Sequence, residues 1–208
     1  MRMDWVPVSA ALLLTGALAL GLGSFLLPSS DGAQDTLEIV QDQGGQWLVV
    51  AVILFIASVC LTLGLPAVLT LFERRGHTLG MISGIVLEVG FIGTAGFAVL
   101  MVFFRALVVT DALRDQGLED ASSEAGLTAF LYVWIVSLYL GELLLGIALL
   151  RARTAPRWVA VVLILNAASV TFSWLLPGPV AKATVLLLVL GFAGIAIQVT
   201  SPASRRVI

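Results

Sequence analysis

Three strongly polar side chains stand inside long apolar runs: Glu88 in GIVLEVGF, Glu142 in SLYLGELLLG and Asn166 in VLILNAAS, with Tyr139 one helical turn before Glu142. Insertion scales place the cost of an ionised acid at the centre of a membrane helix at about 2.5 to 3.5 kcal/mol, so such groups face protein rather than lipid. Two carboxyl groups brought close together out of water cannot both ionise freely, and they titrate as one coupled pair. The chemistry this predicts is reversible binding of a proton, a cation or a basic solute. Glu88 and Glu142 are the titrating groups, and Tyr139 and Asn166 are the hydrogen-bonding groups that orient them.

The elements that must hold these residues are set by composition. The 208 residues are 60% hydrophobic and 12% charged, with a mean hydropathy of +1.08, well beyond the apolar share of a soluble domain. Six runs are long enough to cross about 30 Å of hydrocarbon: near 5–27, 47–72, 79–105, 127–150, 158–176 and 180–200. No period-two pattern of a barrel is present, so the expected fold is all-α, a bundle of six transmembrane helices forming a single domain over 1–208. SSDGAQD after the first run has no A-x-A cleavage site, and that run is read as a helix rather than a leader.

Counted from the basic turns, Glu88, Glu142 and Asn166 each lie nine residues into a span, roughly 13 Å deep at 1.5 Å per residue. Gly80, Gly84 and Glu88 recur at i, i+4 steps, a small-sided strip suited to close helix packing. The rival account of each polar residue is a neutral hydrogen bond across a helix interface, worth about 0.6 kcal/mol on average.

Of the eleven basic residues, Arg2, Arg74, Arg75, Arg151, Arg153, Arg157, Arg205 and Arg206 fall on the side that holds both termini. Arg105, Arg114 and Lys182 fall opposite or at the boundary, so the charge bias puts both termini in the cytoplasm. Asp31, Asp35, Glu38 and Asp42 in the first outer loop, and Asp111, Asp115, Glu119, Asp120 and Glu124 in the second, make the outer face acidic. The turns ERRGHT and RARTAPR, and the outer turn LPGP at 176–179, make consecutive spans antiparallel neighbours.

One cysteine, Cys60, and one histidine, His77, leave no intramolecular disulfide, no paired-histidine haem site and no zinc ligand set. No cofactor is expected. No nucleophile with a base and no phosphate-binding glycine loop argues for an enzyme, and the scattered basic residues argue against nucleic acid.

ERRGHTLGMISGIVLE, 73–88, lies over RARTAPRWVAVVLILN, 151–166, without a gap, setting Glu88 opposite Asn166 and suggesting a hairpin duplication. The segment GIALLRARTAPRWVAVVLILNAA, 146–168, resembles a group of uncharacterised bacterial six-helix membrane proteins, in which a leucine-rich span ending in arginine is followed by Pro-Arg-Trp and another span. The resemblance implies a fold and a place in the bacterial inner membrane, and no activity. Two functions follow: a small carrier or channel-like protein with a carboxylate site, or a non-catalytic membrane subunit or regulator acting through helix contacts with a membrane partner or a second copy.

Overall fold

A computed structural model describes residues 5–29, 33–73, 75–112, 124–175 and 178–201, and these are helical with no strand among them. The helices are α1 (Trp5–Leu26), α2 (Ala33–Asp42), α3 (Gly44–Leu69), α4 (His77–Val109), α5 (Ala125–Ala152), α6 (Arg157–Ser169), α7 (Gly178–Ala183) and α8 (Val185–Thr200). Short 3-10 segments continue α3 over Thr70–Phe72 and α6 over Val170–Leu175. Four stretches are long and apolar enough to cross a membrane: Trp5–Leu26, Gly44–Phe72, His77–Val109 and Ala125–Ala152; Arg157–Phe172 and Val185–Thr200 are shorter apolar helices. The first long loop, rich in Gly, Ser, Asp and Gln and open from sequence to a flexible chain or a short surface helix, contains α2, whose Val40 is buried and whose Ile39 packs on the core. Arg2, Arg74, Arg114, Arg205, Arg206, Asp31, Asp115, Glu119 and Asp120, on which part of the charge argument rests, lie outside the described residues, as do Leu176 and Pro177 of the outer turn.

The apolar helices pack in a closed cycle: α1 on α3, α3 on α4, α4 on α5, α5 on α6, α6 on α8 and α8 on α1. Outward-facing Ile85, Ile92, Phe103 and Ile197 are each more than half exposed, an apolar surface suited to lipid.

Within the cycle the chain makes three hairpins, α1/α3, α4/α5 and α6/α8, and one register recurs in them. Leu13 and Gly16 on α1 meet Leu61 and Gly64 on α3: a Cβ on Gly16 would lie 2.8 Å from the Leu61 nitrogen, and one on Gly64 would lie 2.6 Å from the Leu13 Cα. On α4 and α5 the same exchange is made by Leu87 and Gly90 with Leu138 and Gly141, where a Cβ on either glycine would lie 2.8 Å from the opposing leucine's nitrogen. Each helix therefore seats a glycine against the backbone of the partner's leucine, three residues from its own, which brings the two axes together and satisfies dispersion where lipid gives no hydrophobic drive.

In the third hairpin, Gly191 faces Leu163 through that residue's side chain, whose Cδ2 would lie 2.4 Å from an added Cβ. Three residues on from each of these leucines stand Asn166 after Leu163 and Gly191 after Leu188. Asn166 thus occupies the place that Gly16 and Gly90 hold in the other hairpins. The contacts align Asn166 with Gly90, two residues from the Glu88 that the gapless overlay of 73–88 on 151–166 sets opposite it, because the seated glycines fix the register and the basic turns do not.

Pro66 opens the hydrogen-bond ladder of α3, and α1 repairs it. Ser9 Oγ donates to the carbonyls of Leu63 and Gly64 at 2.8 and 3.1 Å and accepts from the Ala67 N–H at 3.1 Å, the kind of side-chain bridge by which a neighbouring helix helps a membrane helix tolerate proline.

Candidate functional site

Glu142 follows Gly141, the seated glycine of α5, and this places it on the buried side of the helix. The matching positions on the other returning helices are Leu65 and Phe192, both buried. Glu142 is 0% exposed and Asn166 is 3% exposed. The Asn166 Nδ2 donates to Glu142 Oε2 at 2.7 Å, joining α5 to α6 and setting the two residues at one level. Glu142 Oε1 is buried and has no hydrogen-bond partner among the described residues. The polar pair is therefore made of two departures from the hairpin pattern, a carboxyl where the others carry Leu or Phe and an amide where they carry Gly.

Tyr139 lies within electrostatic reach of Glu142, one turn toward the outer end of α5, and lines a cavity of about 340 Å³ with Asn166. Residues from α1, α3, α4, α5, α6 and α8 contribute to its wall, and it extends to Leu27 and Lys182 at the helix ends. Phe97 and Trp134 stack on one side, ring centroids 4.5 Å apart and planes 21° apart. The Trp134 Nε1 donates to Thr94 Oγ1 at 3.0 Å, and that hydroxyl donates to the Gly90 carbonyl at 3.0 Å. At the end of the cavity near the C-terminus of α1, Lys182 Nζ donates to the Leu27 carbonyl at 2.8 Å, where the unpaired carbonyls of α1 present negative charge.

Glu88 is placed elsewhere. It is partly exposed on α4, in line with Gly80, which packs on Phe72, and Gly84, which packs on Leu69, the face toward α3. The face of α4 toward α5 is carried instead by Leu87, Gly90 and Gly93. Among the described residues Glu88 makes no hydrogen bond or ion pair. The structure thus brings Glu142, Asn166 and Tyr139 together and leaves Glu88 out of that group. Helix periodicity explains the difference: the two glutamates share a depth, but depth does not say which way a side chain faces around the axis.

Two serines are already engaged: Ser58 on α3 donates across to the Phe91 carbonyl on α4, and Ser169 donates within its own turn to the Asn166 carbonyl at 2.7 Å. Sequence reasoning passed over Trp134, Thr94 and Phe97. The available signal was Trp134 itself, a tryptophan eight residues inside a span rather than at its end, where an indole N–H needs a buried acceptor. Lys182, read as a boundary charge, lies on the cavity wall. No group of three or more potential metal-binding side chains occurs among the described residues. Comparison with known protein families, curated proteins and solved structures finds no match to this chain.

Proposed function

We propose that the chain is a small multi-pass protein of the bacterial inner membrane, with six spans and both termini in the cytoplasm, that binds a proton, a cation or a basic solute at Glu142 for passage across the membrane. The observation that carries this reading is the buried Glu142–Asn166 pair at 2.7 Å, with the carboxyl oxygen Oε1 unpartnered and Asn166 on the wall of a cavity. A buried acceptor without a donor costs about 1–3 kcal/mol, and a bound proton or cation removes that cost. Asn166 holds the carboxyl in place, and Tyr139 supplies a nearby phenol.

Six crossings are supported by length. The 13 residues of α6 rise roughly 20 Å and the six 3-10 residues after it roughly 12 Å, enough together for the hydrocarbon core. The segment 178–183 extends α8 in the same way. The resemblance of the turn at 151–158 to bacterial six-helix proteins agrees with this topology.

The test is proton or cation flux into dye-loaded proteoliposomes. Glu142→Gln, which keeps shape and removes the titrating group, is expected to abolish flux, while Glu88→Gln keeps it. Equal flux in wild type and Glu142→Gln overturns the reading. A second reading, a non-catalytic subunit or regulator, draws on Glu88: it is polar and partly exposed on a membrane helix with no partner among the described residues, and a second membrane protein or a second copy would satisfy it. Co-purification of one defined membrane partner, lost in Glu88→Leu and kept in Glu142→Gln, supports that reading.

A further inference from the structure

The walls of the cavity describe an occupant. Asn166, on the cavity wall, gives one amide N–H to Glu142 Oε2 and has its carbonyl oxygen, an acceptor, and a second N–H left. Behind it the unpartnered Glu142 Oε1 is also an acceptor. Both acceptors call for a donor or a positive charge. Yet an inorganic cation such as Ca²⁺ requires six to eight oxygen ligands, and the wall is mainly apolar, with Leu20, Leu54, Leu138, Leu188 and the stacked Phe97 and Trp134 among its residues. Aromatic faces attract cations by about 0.5 to 2 kcal/mol, most where water is excluded. A cation that satisfies both kinds of wall carries an apolar body.

The two ends of the cavity fix its direction. Lys182, at the end near the C-terminus of α1, keeps its ammonium on the Leu27 carbonyl and repels a second positive charge from that end. The Asn166 end, by contrast, holds no basic side chain among the lining residues and offers the Asn166 carbonyl oxygen as an acceptor. A volume of about 340 Å³ lies at the small end of the about 300–1,000 Å³ found for small-molecule sites, which suits a compact amine with one ring.

We propose that this cavity binds a small lipophilic ammonium ion, its charged head at the Asn166 carbonyl oxygen with the Glu142 carboxyl group buried beyond it as the opposing charge, its apolar body against Phe97, Trp134 and Tyr139. The inference rests on Glu142 being the binding carboxylate of the proposed carrier and names the class of solute. The opposite order, a neutral apolar guest that happens to lie beside a packing carboxyl, makes different demands on the same residues and is separated by experiment.

Full-length protein in lipid nanodiscs is titrated with radiolabelled benzyltrimethylammonium, with neopentylbenzene, its uncharged isostere, as competitor. Saturable binding is expected, weakened at least about tenfold by Glu142→Gln, as loss of a charge-assisted contact implies, and about threefold by Trp134→Leu. Where Trp134→Leu does not fold, Phe97→Leu takes its place. Binding unchanged in Glu142→Gln, or displaced by neopentylbenzene, overturns the proposal. So does absence of binding, and the flux assay then separates two failures: Glu142-dependent proton flux without ammonium binding removes only the solute class, whereas absence of both removes the carrier reading as well.

Discussion

The first and third hairpins are built on one register and differ in what fills it. In α1/α3 both glycines are present, and Gly16 and Gly64 let each backbone rest on the other's leucine. In α6/α8 only Gly191 is seated, and the matching position carries Asn166, whose amide reaches sideways to Glu142 of the second hairpin. A contact inside a hairpin has been exchanged for a polar contact between hairpins. The first arrangement gains close packing along the whole of two helices. The second gives up part of that packing and gains an amide and a carboxyl at the wall of a cavity. Stability explains the first and leaves the second without a reason, since Leu65 and Phe192 fill the sites that match Glu142 with apolar bulk. That is why the pair, and not the glycines, is read as the functional part.

The largest effect is expected where the contrast is steric. In Gly64→Ala the new methyl falls 2.6 Å from the Leu13 backbone, which cannot rotate away, so α1 and α3 must separate. Overpacking of this kind costs about 1–3 kcal/mol and sometimes more, read as a lower unfolding temperature in detergent. Gly90→Ala, with Leu138 backbone 2.8 Å away, is expected to act alike, while Asn166→Ala has no steric penalty because the site already holds a larger side chain. Were Gly64→Ala as stable as the wild type, the shared register would not be what holds the hairpins together.

The polar pair gives the next test, as a double-mutant cycle. Asn166→Gly alone leaves both Glu142 oxygens without a donor inside the protein and is expected to cost about 1–3 kcal/mol. Glu142→Leu with Asn166→Gly restores the pattern of the other hairpins at both positions. The double variant is expected to recover most of that loss, a coupling of about 0.5–3 kcal/mol between touching residues, while losing flux and ligand binding. Additive losses would mean that the hydrogen bond at 2.7 Å contributes nothing separable. Recovery of stability together with activity would assign the function elsewhere.

The helical fold and the four long apolar stretches were legible because length and hydropathy suffice to mark them. The polar residues were legible for the same reason, since Glu142 and Asn166 are conspicuous against leucine and valine. Their partnership was not. Depth along an axis can be counted from a basic turn, but the facing of a side chain depends on how neighbouring helices rotate, and Glu88 at the same depth turns out to lie in line with the strip packed on α3. The repeated Leu-x-x-Gly was equally present in the sequence and equally silent, because leucine and glycine are common in any apolar helix; only the reciprocal seating of Gly16 and Gly64, then of Gly90 and Gly141, marks it as a register. Whether the first long loop carries a short helix such as α2 or a flexible chain was open from sequence, because a loop rich in polar residues carries little periodic apolar signal, with Val40 and Ile39 turned to the core.

The smallest effect sharpens the contrast between two carboxylates of one helix. Glu142 lies buried in the middle of α5, while Glu124 caps its start in water, its Oε2 accepting the Leu127 N–H at 2.8 Å from an extended backbone. Such caps satisfy a donor that the helix leaves unpaired and place negative charge at the positive end of its dipole. Hydrogen bonds from the Gly126 and Leu127 amides favour the ionised form and hold the Glu124 carboxyl below the ordinary carboxylate range. The sign follows from that direction: the gain in helix stability is complete above the ordinary carboxylate pKa and is lost as pH falls through the lowered value in the folded protein. A titration of the Leu127 amide resonance in micelles is expected to show a midpoint below the ordinary range, and Glu124→Gln is expected to remove that transition with little change in unfolding temperature. A midpoint in the ordinary range would mean that the cap is not held in solution. A large fall in unfolding temperature would mean that the end of α5, and not its buried middle, anchors the second hairpin.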